Sequence, residues 1–161
     1  MARIRQIGAF ALLLGLLTVV GCGGGESQPT STTEGITKDQ WVKKAFALCE
    51  RLSHHQQYGQ YAFERAHGMK VGEPGQRELE QFNAVYVMPY VKRKIKELRA
   101  LPVPEGEQGK IEEILKAMEE GIRESKAHPA WLAAPSKAHP IPFTKATELA
   151  TAYGIWDCGQ A

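Results

Sequence analysis

The chain reads as an all-α protein, a small bundle of about four helices, and three observations predict it. Apolar residues recur at steps of three and four in four separate segments, and no run alternates with a period of two. The prolines fall between those segments, with Pro89 as the one exception. Once the first 36 residues are set aside, about 125 remain, a length that suits one domain with one core.

The first helix is expected to open at Thr37-Lys38-Asp39-Gln40, where a threonine cap is followed three residues later by a glutamine in capping-box spacing. Trp41, Ala45, Leu48, Leu52, His55, Gly59, Ala62 and Ala66 then form its apolar stripe, to an end near His67. Gly59 and the alanines would let a neighbouring helix come close. Gly68 and Gly72-Glu73-Pro74-Gly75 stop it.

The second pattern carries Leu79, Phe82, Val85, Met88, Val91, Ile95 and Leu98. Pro89 lies inside it, has no N–H for the Val85 carbonyl and crowds that turn, so a kink or a break into two helices is expected there. Pro102 and Pro104 close the segment. The third helix sets Ile111, Ile114, Leu115, Met118 and Ile122 opposite Glu112, Glu113, Lys116, Glu119, Glu120 and Arg123, the layout of a surface helix with one buried face.

Between Ser125 and Phe143 four prolines argue against regular structure, with Trp131 and Leu132 placed to fold back on the core. Ser-Lys-Ala-His-Pro occurs twice in this stretch, at 125–129 and 136–140, too little for a repeat architecture. A last helix over about 144–153 buries Ala146, Leu149, Ala150 and Tyr153 and ends at Gly154, the expected left-handed stop.

Ahead of the bundle the chain has the layout of an export signal: Arg3 and Arg5, an apolar run from Ile7 to Val20, then Gly21 and Cys22. The run is 14 residues long, whereas a membrane-spanning helix needs about 20, so removal is expected rather than anchoring by a span. Residues 23–35 contain no large apolar side chain, and a flexible tether of that length reaches on the order of 20 Å. The expected organisation is a signal peptide over 1–21, a tether over 22–36 and a helical domain over 37–161.

Loss of Arg3 and Arg5 from the 20 basic side chains would leave 18 against 18 acidic ones. A balanced chain has no global attraction for nucleic acid, and none is expected as a partner. Cys49 and Cys158 are the cysteines besides Cys22, and two thiols in an exported chain usually pair. The alternative is a buried free Cys49 with Cys158 left as a thiol near the C-terminus.

The site Val19-Val20-Gly21-Cys22 resembles the lipobox of bacterial lipoproteins, which implies a thioether-linked diacylglycerol on Cys22 as the first mature residue. Cys49, the Leu101-Pro102-Val103-Pro104-Glu105-Gly106 joint and the Tyr153-Gly154-Ile155-Trp156-Asp157-Cys158-Gly159 ending are similar to small uncharacterised lipoproteins of actinobacteria and their relatives. That resemblance implies a helical, disulfide-closed domain held on the outer face of the cell membrane by a lipid anchor. It implies no activity.

Candidate chemistry is sparse. Of the histidines, His54, His55, His128 and His139 are weak candidates for a metal, but no two lie three or four residues apart on one helix, where a shared ion would need them. His55 is read instead as a core histidine on the first stripe, and the two His-Pro pairs as turn residues. Lys92-Arg93-Lys94-Ile95-Lys96-Glu97-Leu98-Arg99 holds five cations, read as a solvated face paired with glutamates of the third helix, or as a contact for anionic lipid or acidic wall polymers. No serine elbow, His-Glu-x-x-His or phosphate-cradling loop occurs, so neither catalytic residues nor a cofactor are expected. The leading expectation is a non-enzymatic lipoprotein that binds a protein or cell-envelope component. The alternative is a small-ligand or metal carrier with a pocket near Pro89, the histidines, Tyr86, Tyr90 and Trp131.

Overall fold

The computed structural model describes residues 35–68 and 75–161, so the signal, Cys22 and the tether lie outside the described residues. The helices, in chain order, are α1 (Lys38–Ala66), α2 (Gln76–Phe82), α3 (Met88–Arg99), α4 (Gln108–Ala127), α5 (Pro129–Ala133) and α6 (Thr144–Tyr153). A π-helical turn, Asn83–Val87, joins α2 to α3, and a 3₁₀ turn, Trp156–Cys158, follows α6. The fold is all-α, with no strand among the described residues.

α1 begins where its cap sequence puts it. The Thr37 hydroxyl accepts from the Gln40 amide at 3.3 Å, and the Gln40 side chain accepts from the Thr37 amide at 3.0 Å. Trp41, Ala45, Leu48, Cys49 and Leu52 are buried as the stripe predicts. Beyond Leu52 the buried line takes longer steps to Phe63 and Glu64, and His55, Ala62 and Ala66 face solvent. His55 is therefore not a core histidine: the inward line runs from Leu52 through half-buried Gln56 and Gly59 to Phe63 and leaves His55 on its exposed flank.

A similar phase change alters the next stripe. Phe82 and Val87 are both buried while Val85 is 56 % exposed, a five-residue spacing that matches the π-turn between them. The Met88 amide donates to the Asn83 carbonyl, five residues back. Pro89 then falls in the first turn of α3, directly behind the π-turn, so it stands inside a continuous helical run and withholds its N–H from that turn. Val91, Ile95 and Leu98 continue inward as expected.

α4 buries all five of its predicted apolar residues, and α6 stops at Gly154 with φ +100°, the left-handed region. The proline-rich stretch is more ordered than its composition suggests. α5 forms there, with Pro129 in its first turn, and Leu132 packs against the core. α4 lies centrally, against α3, α5 and α6, while α1 packs on α3 and on the C-terminal turn. Gly121 is what lets the Phe143 ring settle on α4, since a Cβ there would stand 2.5 Å from it. No helix among the described residues is long and apolar enough to cross a membrane.

Candidate binding groove

Cys49 and Cys158 are joined, with an S–S distance of 2.06 Å and Cα atoms 5.2 Å apart. Both are fully buried, so the bridge fixes the C-terminal turn to α1 and is shielded from outside thiols. A second fastening comes from Lys94, which is 1 % exposed although it belongs to the basic run. Its ammonium donates to the Gln160 carbonyl at 2.8 Å and sits 4.8 Å from the centre of the Tyr90 ring. Burial pushes the amine down to about 8, partly offset by the charge of Asp157. The Thr147 hydroxyl completes the hold by donating to the Gly159 carbonyl at 3.1 Å.

The four metal candidates fall in two places. His54 and His55 are exposed on α1. His128 and His139 meet at Trp131, their rings stacked on the indole at centroid distances of 3.8 and 4.4 Å and inclined by 16° and 9°. Two imidazoles this close and this parallel cannot share one face of the ring, so they hold opposite faces. The histidines of the two Ser-Lys-Ala-His-Pro copies thus clamp one tryptophan, and the indole separates them. Among the described residues no three His, Cys, Asp or Glu side chains are placed to hold a metal ion.

The basic run is divided by the packing. Lys94 goes inward. Arg93 and Arg51 both pair with Glu97, and Arg99 reaches Glu112 and Glu119 of α4 at 3.3 and 3.0 Å. The Arg93 hydrogen bond, aided by Arg51, holds the Glu97 carboxyl below the ordinary glutamate range. Lys92 and Lys96 form no ion pair among the described residues.

Those two free cations border an open concavity of the bundle. Residues 92, 95, 96 and 99 are spaced i, i+3, i+4 and i+7 and so share one face of α3, and 119, 122 and 123 do the same on α4. Between the two faces runs an open groove of about 670 Å³, with Ile95 and Ile122 beneath and Lys92, Lys96, Arg99, Glu119 and Arg123 around it. The Glu119 carboxylate is held by Arg99 and Arg123 is paired to Glu120, so the uncompensated charge of the rim is positive.

Lys92 also borders a second, more enclosed cavity of about 270 Å³ beside Pro89, where Ala84, Met88, Pro129 and Leu132 form the apolar wall and Glu80, Asn83, Ser125 and Lys126 add polar groups. This is the pocket near Pro89 that the sequence suggests, but no histidine, Tyr86, Tyr90 or Trp131 lines it. The Ser125 hydroxyl is engaged with the Gly121 carbonyl at 2.7 Å. Among the described residues no histidine ring hydrogen-bonds a hydroxyl or carboxylate, and His67 pairs with the Phe63 carbonyl. The seam between α3 and α4 has the chemistry of a binding site, an apolar floor with free ammonium groups at its rim.

The basic run stands out in the sequence, whereas the groove does not. The signal was present in the i, i+3, i+4, i+7 repeat of mixed basic and apolar residues on α3 and its counterpart on α4. Lys94 was readable too, because it lies three residues after Val91 and four before Leu98, on the inward face. No family model matches the chain, and no curated protein or solved structure matches it either.

Proposed function

We propose that this chain is a non-enzymatic lipoprotein, acylated at Cys22 and tethered on the extracytoplasmic side of the cell membrane, whose helical bundle binds an envelope component through the α3/α4 groove. The observation that carries the reading is the groove itself: free Lys92 and Lys96 over an Ile95 and Ile122 floor, on a chain with little net charge. A local cationic rim selects an anionic partner where the molecule as a whole exerts no pull. The signal layout and lipobox spacing support the anchor. Two acyl chains, at about 0.8 kcal/mol per buried methylene, hold a protein on a bilayer where one alone gives only marginal binding.

The test is a photo-crosslinking side chain introduced at position 96 in the native membrane, with position 145 on α6 as the control. Adducts at 96 that are absent at 145 support the groove. Equal labelling at both positions, or none at 96, would remove it.

A further inference from the structure

Resting on the groove reading above, we propose that the α3/α4 seam takes an anionic single-chain lipid of the adjacent membrane, with its head at Lys92 and Lys96 and its chain end in the cavity beside Pro89. The two cavities are neighbouring stretches of one seam, because Lys92 borders both and the α4 residues run in order from Glu119 and Ile122 to Ser125 and Lys126. From Arg99 to Met88 the seam extends about 16 Å at the rise of an α-helix. Its character changes along that length. The Arg99 end is open and cationic, and the Pro89 end is smaller and more enclosed, with Ala84, Met88, Pro129 and Leu132 as its apolar wall and Glu80 and Asn83 at its α2 side.

That gradient decides the occupant. A helix with its side chains is about 10 Å across and cannot enter a 270 Å³ enclosure. An acyl chain can, and it needs no hydrogen bond from the walls, where the Ser125 hydroxyl is held by the Gly121 carbonyl and the Glu80 carboxylate accepts from the Gln76 side chain at 2.9 Å. The head needs the reverse: charge-assisted donors open to water. Lys92 and Lys96 are exposed and one helical turn apart, Lys92 at the junction of the two cavities and Lys96 on the open groove, and Lys126 borders the second cavity from α4. A small anion without a chain would leave the enclosed end empty, and a neutral chain would leave the ammonium groups without a counter-charge.

The experiment uses the processed, membrane-bound chain in phosphatidylcholine vesicles and a fatty acid carrying a diazirine at the end of its chain. Photolysis is expected to mark residues of the enclosed end, Met88 and Leu132 foremost. The paired substitution Lys92→Glu with Lys96→Glu lowers that labelling about tenfold, the loss of charge-assisted hydrogen bonds to the head. Ala84→Trp fills the enclosure without touching the charge, and it moves or abolishes the label while helicity and melting stay as in the parent.

The matching fatty alcohol is expected to label weakly. Labelling spread over the surface, equal labelling by the alcohol, or indifference to the lysine pair would overturn the proposal. A groove that crosslinks an envelope protein at position 96 while the fatty acid leaves Met88 and Leu132 unmarked also overturns the lipid assignment, and leaves the groove reading standing.

Discussion

The Lys94 ammonium donates to the Gln160 carbonyl 2.8 Å away, from a position that is 1 % exposed. A single buried cation thereby ties α3 to the last residues of the chain, next to the bridge that ties them to α1. Burying a charge costs free energy unless hydrogen bonds and a counter-charge offset it. Here the partners are backbone carbonyls, the Tyr90 ring and the field of Asp157.

The pH dependence of stability follows from that cost. The amine is pushed down to about 8 in the folded chain from 10.5 when solvated. Below pH 8 Lys94 is charged in both states and the fold carries the full penalty. Between pH 8 and 10.5 the unfolded chain holds the extra proton, so the Lys94 contribution to stability rises with pH, by on the order of 3 kcal/mol in all. Denaturant melts at steps from pH 7.5 to 10 are expected to show this rise, and Lys94→Met to lack it. The same slope in both proteins would assign it to another group.

The Cys49–Cys158 bridge closes a loop with a sequence separation of 109 residues. Chain entropy gives about 4 to 5 kcal/mol as an upper figure for a loop of that length. Replacing both cysteines by serine is expected to lower the denaturant midpoint sharply, and a change under about 1 kcal/mol would mean that Lys94 and the packing of Ile155 hold the tail unaided.

Two glycines of α4 should respond to alanine with opposite signs. At Gly121 the new methyl meets the Phe143 ring at 2.5 Å, an overpacking that costs about 1 to 3 kcal/mol. At Gly109 nothing lies within 4 Å, and alanine should stabilise by up to about 1 kcal/mol through helix propensity. Thermal melts of the two variants distinguish these outcomes directly.

The stacking at Trp131 predicts a dependence rather than a single loss. His128→Ala and His139→Ala should each cost about 0.5 to 1.5 kcal/mol in the parent. In a Trp131→Ala background each should cost close to nothing, because the face it covered is gone. Equal costs in both backgrounds would show that the histidines act through something other than the indole. The measurement is a double-mutant cycle by chemical denaturation.

Helix existence was legible because each stripe obeys a local rule, and the ends at Thr37 and Gly154 are set by residues that act on their own backbone. Cysteine pairing was legible from the number of cysteines and the expectation of export. What escaped depends on long-range registration. The inward line on α1 leaves His55 outside only because α1 continues to Phe63, and the π-turn that exposes Val85 inserts a phase shift that no composition signals. The His128–Trp131–His139 clamp needs the two Ser-Lys-Ala-His-Pro copies to fold toward each other. The groove needs α3 and α4 to be paired before their matching faces mean anything.

Intact-mass measurement of the protein extracted from native membranes tests whether the bundle is held there by an acylated Cys22. The predicted species begins at Cys22, carries a diacylglycerol on that residue and, apart from the mass of that group, is two hydrogen atoms lighter than the reduced chain of residues 22–161 for the closed bridge. A species that retains residues 1–21, or that begins elsewhere without acyl mass, would contradict that anchor.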